Sequence, residues 1–133
     1  IPGTHDAATG NGVTLASYSQ CQDIDVATQW SIGIRAFDFR PKVKGDYLNI
    51  NHGIAVTNLR FDDALYLLRD SLKEHPSEFA VIHCLYASGY DSDKTKYETM
   101  LRELLSREDL KDYFVPAGLD GRGYAWKDLT VEP

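Results

Sequence analysis

The chain has 133 residues, which is enough for one domain with a substantial buried core, and its 43% hydrophobic and 26% charged residues are typical of globular proteins. Its formal net charge of −6 argues against broad, charge-driven binding to nucleic acid or to an anionic membrane, although one arginine can still bind a phosphate. No apolar stretch approaches the roughly 20 residues that cross a bilayer. Cys21 and Cys84 lack metal-type spacing, and we interpret both as buried apolar thiols, with a disulfide left open.

The sequence of the first half of the chain predicts several strands and one helix. Residues 1–12 predict a short strand end followed by a loop, and apolar residues spaced by three predict a helix over 19–31. GIRAFDFRP predicts a strand that Pro41 ends, and YLNINHGIA predicts the next strand. Alternation places Asp38 and Arg40 on one face of the former strand and its two phenylalanines on the other.

The second half adds two helices and one more strand. An apolar stripe predicts a helix over 58–75 that Pro76 stops, FAVIHCLYA predicts a buried strand, and a second stripe predicts a helix over 93–106. Residues 109–133 form a loop-rich tail. The order of strand, helix, strand, strand, helix, strand and helix predicts a single α/β domain over 1–133, with a largely parallel sheet that has too few strands to close a barrel alone.

Polar side chains collect where the predicted strands end. His5 and Asp6 follow the first strand, Asp38 and Arg40 lie at the end of the second, and His52 ends the third. Because catalytic groups collect at the carboxyl ends of parallel strands, we expect these side chains to lie together. Two histidines can exchange protons, carboxylates can fix their tautomers, and an arginine can neutralise a phosphoryl oxygen. The set fits general acid–base cleavage of a phosphodiester without a metal.

Each of these side chains also has a structural interpretation, as a turn residue or as part of an ion pair at a strand end. Two further histidines are interpreted as structural only. His75 lies at a helix end, where the helix dipole favours it. His83 lies within a predicted strand and is interpreted as a core histidine with satisfied hydrogen bonds.

Three motifs in register resemble one enzyme family. IPGTHDA, GIRAFDFR and NHG resemble the X region of phosphatidylinositol-specific phospholipase C, above all in its bacterial single-domain members. LRDSLKEHPSEFAVIH also looks like the helix and following strand of that family, so the resemblance covers about residues 1–85. The resemblance implies a distorted TIM-type barrel with parallel strands, of which this chain would be the amino-terminal half. It also implies a secreted, cell-surface or periplasmic protein.

The resemblance implies a role for each site residue. His5 matches the general base that takes the proton of the inositol 2-hydroxyl, and His52 matches the general acid that protonates the departing diacylglycerol oxygen. Asp6 matches the carboxylate that pairs with the second histidine. Asp38 and Arg40 match the FDxR motif, whose arginine contacts the phosphate and occupies the position of calcium in eukaryotic relatives. The implied reaction is calcium-independent, needs no cofactor, and converts a membrane phospholipid to diacylglycerol and inositol 1,2-cyclic phosphate.

The chain departs from the family pattern at two places. Bacterial members carry a lysine and an acidic residue after the fourth-strand motif, whereas this chain has CLYASGYD, with no acid before Asp91, so the head group stays open. The later half of the family's barrel, which supplies the carboxylate for the first histidine, does not follow within these residues. We therefore expect His5 to lack the carboxylate that usually supports it in the family, and we expect self-association or a partner chain.

Two alternatives remain open at this point. The chain could be a metal-dependent enzyme like the glycerophosphodiester phosphodiesterases, which also use two histidines on a TIM-type barrel. It could instead be an inactive half-barrel that binds a head group or assembles with a partner.

Overall fold

The computed structural model describes residues 1–87 and 93–114 as a mixed α/β structure. The strands are β1 (Gly3–Thr4), β2 (Ala36–Phe39), β3 (Pro41–Lys44), β4 (Tyr47–His52), β5 (Ala55–Arg60) and β6 (Val81–Cys84). The α-helices are α1 (Ala16–Ser19), α2 (Val26–Ser31), α3 (Phe61–Glu74) and α4 (Lys94–Leu105), and short 3-10 helices lie at Ala7–Asn11 and Lys111–Tyr113. Of the tail predicted over 109–133, residues from 115 onward lie outside the described part.

The strands form two three-stranded sheets of different kinds. In the first sheet, β2 lies between β1 and β6 and runs parallel to both, with Asp38 opposite His83 across β2 and β6. In the second sheet, β4 lies between β3 and β5 and runs antiparallel to both, with a shift of register between Asn49 and Asn51. The predicted parallel sheet is therefore present, but His52 comes from an antiparallel strand.

Two glycine turns explain the antiparallel sheet. Gly45 (φ 62°) begins the short connection from β3 to β4, and Gly53 (φ 58°) begins that from β4 to β5. Glycine adopts this left-handed conformation without steric penalty, and two-residue connections of this kind join antiparallel strands. The strand predicted to end at Pro41 stops at Phe39, and Pro41 itself opens β3.

The helix predicted over 19–31 is shorter than expected. It is replaced by α1 and α2, which an extended segment separates, and α2 begins where the Asp25 side chain accepts a hydrogen bond from the Thr28 backbone nitrogen at 2.8 Å. An aspartate that caps a helix in this way satisfies a free N–H group of the first turn. The cap sets the start of α2 at Val26, seven residues later than the pattern predicts.

The core lies on the apolar face of β2, as alternation predicts. Phe37 and Phe39 are buried and stack with ring centroids 5.8 Å apart, and the edge of Phe61 packs against Phe39. The predicted stripe of α3 completes this core with Ala64, Leu65 and Leu68. The two large aromatic rings hold β2 in place, so the opposite face of the strand is free to carry polar side chains.

The strand β6 is less buried than its apolar sequence predicts. Val81 and Ile82 are half-buried, whereas His83 and Cys84 are exposed, because β6 forms the outer edge of the parallel sheet within the described residues. The interpretation of the cysteines as buried is wrong for both, since Cys21 and Cys84 are exposed free thiols. No helix in the described residues has the length and apolar character needed to cross a membrane.

Candidate active site

The parallel sheet brings four of the predicted residues to one edge, and the antiparallel sheet adds the fifth. β1 leads directly into His5 and Asp6, while β2 carries Asp38 and ends just before Arg40. Because β1 and β2 run parallel, the side chains at their carboxyl ends lie at the same edge of the sheet. His52 is the last residue of β4. The structure therefore gathers the whole predicted set at one place.

Asp6 lies at the centre of the cluster, with a side chain that is only 2% exposed. Its Oδ2 atom lies 3.1 Å from His5 Nε2 and 3.6 Å from His52 Nε2. Its Oδ1 atom lies 3.1 Å from Arg40 Nε. A buried carboxylate needs such partners, because an isolated buried charge is strongly unfavourable. One carboxylate thus links both candidate proton-transfer groups to the arginine.

The backbone of Asp6 adopts a rare conformation that its neighbours hold in place. Its φ of 45° and ψ of 52° lie in the left-handed region, where aspartate is better tolerated than most residues. The Thr9 hydroxyl donates to the Asp6 carbonyl oxygen at 2.8 Å and accepts hydrogen bonds from the backbone nitrogens of Cys21 and Gln22. The loop after β1 is therefore fixed to the segment between α1 and α2, and the Asp6 side chain is held in position.

His5 has a second carboxylate neighbour on β2. Its Nδ1 atom lies 2.9 Å from Asp38 Oδ2, which also accepts from Arg40 Nη2 at 3.0 Å. Since an ionised carboxylate only accepts hydrogen bonds, Asp38 can accept the proton of Nδ1, and Asp6 Oδ2 can accept a proton carried by Nε2. The carboxylate that the later half of the barrel would supply stays an open expectation, but parallel pairing of β1 and β2 places Asp38 beside His5 within the described residues.

Asp38 and Arg40 each stabilise the charged form of the other. Burial alone would raise the pKa of the Asp38 carboxyl. Its pKa is nevertheless below the usual value, because Asp38 accepts hydrogen bonds from Arg40 and from the Asp6 backbone, lies beside the Arg40 charge and is bonded to His5. The hydrogen bond to Asp38 raises the pKa of Arg40 despite partial burial. Both side chains are therefore charged at neutral pH, and the imidazoles are the groups suited to proton exchange.

His52 is oriented by the backbone on the opposite side of its ring. Its Nδ1 atom donates to the Ser19 carbonyl oxygen at 2.8 Å, because a carbonyl can only accept. The Asn51 backbone nitrogen donates to the Arg40 carbonyl oxygen at 2.9 Å, which joins the end of β4 to the end of β2. These contacts point the second ring nitrogen, Nε2, toward Asp6.

The structure adds a third imidazole that the sequence analysis assigned to the core. His83 Nδ1 lies 3.3 Å from Asp38 Oδ1, and the His83 side chain is 69% exposed. An open cleft at the end of the parallel sheet is lined by His5, Asp38 and His83, among other residues. The interpretation of His83 as a buried structural residue is wrong, because β6 is an outer strand. Its place near the carboxyl end of a parallel strand was the signal that could have identified it.

Cys21 also borders the site. Its Sγ atom lies 3.8 Å from Asp6 Oδ2 and 4.0 Å from His52 Nδ1. Desolvation and the nearby Asp6 carboxylate raise the pKa of the Cys21 thiol, which therefore stays protonated and weakly nucleophilic at neutral pH. Among the described residues, His5, Asp6 and Cys21 form the group whose side chains could together hold a metal ion, with one ligand atom from each and all three atoms within 4.8 Å of one another.

Known proteins are similar to this chain in structure, whereas comparison with family models and curated proteins finds no match. Solved structures of bacterial phosphatidylinositol-specific phospholipases C do match. The Staphylococcus aureus enzyme has a TM-score of 0.76 and 26% identity over 86% of this chain and 39% of its own. A double mutant of that enzyme has a TM-score of 0.72 and 27% identity over 81% of this chain and 37% of its own.

The Listeria monocytogenes enzyme has a TM-score of 0.67 and 30% identity over 86% of this chain and 40% of its own. This chain thus spans about two fifths of the length of the enzymes it matches. The structural likeness confirms the resemblance and the fold class that the motifs predict, including the partial barrel. Over most of its length, the chain has the fold of part of a bacterial phosphatidylinositol-specific phospholipase C.

Proposed function

We propose that this chain carries the proton-transfer residues of an enzyme that cleaves phosphatidylinositol-type phosphodiesters to diacylglycerol and inositol 1,2-cyclic phosphate. The single observation that supports this most is the position of Asp6 Oδ2, within 3.6 Å of the Nε2 atoms of both His5 and His52. Two imidazoles beside an arginine form a set suited to removing one proton and supplying another at a phosphate. The likeness to bacterial phospholipases C supports the same substrate class.

In this reaction, His5 Nε2 accepts the proton of the inositol 2-hydroxyl. The hydroxyl oxygen then forms a bond to the neighbouring phosphorus, and the bond from phosphorus to the diacylglycerol oxygen breaks. His52 Nε2 gives its proton to that departing oxygen, so one proton is taken up and one is released. Attack within one molecule needs no second reactant to be positioned, which favours a cyclic product.

Arg40 is the residue that would bind the phosphate in this proposal. Asp6 and Asp38 hold its guanidinium at 3.1 Å and 3.0 Å, and its side chain is 27% exposed. A fixed positive charge at this position stabilises the charge that develops on the phosphoryl oxygens, and it repels a calcium ion from the same place. We therefore propose that the reaction is independent of calcium and of any other cofactor.

The proposed substrate is a phospholipid at a membrane surface, and the proposed location is outside the cytoplasm, at the cell surface, in the periplasm or in the medium. Membrane binding is the subject of two of the Staphylococcus aureus structures that match this chain. Both outer strands of the parallel sheet, β1 and β6, have an edge without a partner strand within the described residues. Such edges favour pairing with further strands, from a second copy or from the rest of a barrel.

A substrate analogue with a sulfur leaving group distinguishes the two histidine roles. A thiolate leaves without protonation, so an enzyme that lacks its general acid recovers on this analogue, whereas one that lacks its base does not. We expect the analogue to restore cleavage by His52→Ala far more than by His5→Ala. Equal rescue of both variants, or rescue of neither, would contradict the assignment of His52 as the acid.

A further inference from the structure

Two of the three distances among His5 Nε2, Asp6 Oδ2 and Cys21 Sγ are close to those between ligands of one small cation, and all three atoms lie within 4.8 Å of one another. His5 Nε2 and Asp6 Oδ2 are 3.1 Å apart, and Cys21 Sγ and Asp6 Oδ2 are 3.8 Å apart. Ordinary zinc–ligand distances in tetrahedral geometry place nitrogen and oxygen ligands about 3.3 Å apart, and oxygen and sulfur ligands about 3.6 Å apart. Both spacings in the structure differ from these values by only a few tenths of an ångström.

The orientation of the His5 ring is also that of a metal ligand. Histidines that bind a metal through one nitrogen usually donate the other N–H to a carboxylate, and His5 Nδ1 lies 2.9 Å from Asp38 Oδ2. When Nδ1 alone carries the ring proton, Nε2 presents a lone pair to an Asp6 oxygen 3.1 Å away. Two acceptor atoms that face each other at this distance need a proton or a cation between them.

The charges and the access route fit a divalent ion. Asp6 supplies one negative charge, and Cys21 supplies a second when the bound ion displaces its thiol proton to solvent. Arg40 is already paired with Asp38 and reaches Asp6 through the other oxygen, Oδ1. His5 is 62% exposed at its side chain and Cys21 is exposed, so an ion can enter from solvent. Three protein ligands leave a fourth tetrahedral position open to water.

We propose that His5, Asp6 and Cys21 form a binding site for a zinc-class divalent cation, and that occupancy of this site inhibits the enzyme. A thiolate and an imidazole select a borderline-soft ion such as zinc over calcium. The bound ion takes up the Nε2 lone pair with which His5 would accept a proton. The inhibitory effect rests on the proposed function, whereas the binding of the ion does not.

The other free thiol provides a matched control. Cys84 Sγ lies 3.3 Å from the Tyr97 hydroxyl, a hydrogen bond that serine can also make, and it belongs to no metal-binding group among the described residues. The experiment titrates zinc against a chromophoric chelator for wild type, Cys21→Ser and Cys84→Ser, with circular dichroism to check folding. Cobalt is then bound in place of zinc, because cobalt reports a thiolate ligand through a charge-transfer band.

We expect wild type and Cys84→Ser to bind one equivalent and to show the cobalt–thiolate band. We expect Cys21→Ser to lose the band and to bind zinc at least about tenfold more weakly. The proposal is overturned if wild type binds no zinc, or if Cys21→Ser retains both the affinity and the band. These measurements do not depend on catalysis, so they test zinc binding even if neither wild type nor the two variants cleave phosphatidylinositol.

Inhibition is tested separately on the proteins that cleave substrate. Zinc should lower the rate of phosphatidylinositol cleavage by wild type and Cys84→Ser, and it should affect Cys21→Ser much less. Activation of wild type by zinc would overturn the inhibitory role and would favour a metal-dependent reaction instead. Cleavage without zinc binding would refute this inference while leaving the proposed function intact.

Discussion

His5 Nδ1 lies 2.9 Å from Asp38 Oδ2, although the two residues are 33 positions apart in the chain. The contact orients the His5 ring, because the anionic carboxylate can accept the Nδ1 proton while Nε2 faces Asp6. It also shows how a chain that spans about two fifths of its structural relatives can orient its first histidine. The support comes from β2, which runs parallel to β1.

The depressed pKa of Asp38 predicts how stability depends on pH. A carboxyl whose pKa is lower in the folded protein than in the unfolded chain stabilises the fold above the unfolded pKa of about 3.9. That contribution is lost as pH falls from about 4 through the lower folded pKa. We expect Asp38→Asn to unfold about 2 kcal/mol more easily than wild type near neutral pH, since a charged hydrogen-bond acceptor is lost.

Urea unfolding at a series of pH values from neutral downward checks this expectation. The difference between wild type and Asp38→Asn should shrink as the pH falls through the lowered pKa of the Asp38 carboxyl, because the folded wild type then binds a proton there. A difference that stays constant across this range would show that the charge of Asp38 does not stabilise the fold.

The left-handed backbone of Asp6 predicts different results for two substitutions. Asn also tolerates this conformation, so Asp6→Asn should keep the fold while it removes the charge that links His5, His52 and Arg40. Asp6→Ala removes the same charge and adds strain of about 1–2 kcal/mol. We expect both variants to lose cleavage activity by at least about a hundredfold, and only Asp6→Ala to melt clearly lower.

Thermal melts and initial rates measured on the same preparations check this pair. If Asp6→Asn cleaved substrate at nearly the wild-type rate, the carboxylate would be structural, and the two histidines would not depend on it.

His83 is expected to support Asp38 without transferring a proton itself. Its contact with Asp38 is longer than that of His5, and its ring is 69% exposed. Loss of such a contact corresponds to roughly 1 kcal/mol, so we expect His83→Ala to lower the cleavage rate by about five- to tenfold. His83→Asn, which can still donate to Asp38, should recover part of the rate. A loss as large as that of His5→Ala would instead place His83 among the catalytic residues.

Arg40 predicts the response to calcium and to chelators. Because a guanidinium lies within the site, cleavage by the metal-free protein should be unchanged by EDTA and by added calcium. Arg40→Lys keeps the charge but cannot reach both carboxylates with a rigid fork, so we expect a loss of at least about tenfold. Abolition of wild-type cleavage by EDTA, with recovery on addition of a divalent cation, would favour a metal-dependent phosphodiesterase.

Local sequence pattern predicts what lies within one strand or helix, and it is less informative about contacts between distant segments. Alternation along β2 correctly separates Phe37 and Phe39 from Asp38. The position of His83 depends on the register between β2 and β6, which are paired across more than 40 residues, and no local pattern encodes it. The apolar run around His83 predicts burial only where another layer covers the strand.

The residues of the candidate site also divide into those that local sequence pattern predicts and one, Cys21, that it does not. The motifs identify His5, Asp6, Asp38, Arg40 and His52 because each follows or ends a predicted strand. The approach of Cys21 depends on the Thr9 hydroxyl, which accepts from the Cys21 backbone nitrogen at 3.0 Å. That contact joins two irregular segments, where side-chain periodicity carries no information.

The central claim is that His5 and His52 act as one proton-transfer pair across Asp6. Phosphorus NMR of phosphatidylinositol vesicles incubated with the protein tests it most directly, with His75→Ala as the control because His75 is exposed at the end of α3, outside the site. We predict inositol 1,2-cyclic phosphate from wild type and from His75→Ala, and rates about 100- to 10,000-fold lower for folded His5→Ala and His52→Ala. Cyclic phosphate formed at the wild-type rate by folded His52→Ala, or a wild-type product without a cyclic phosphate, would contradict the claim.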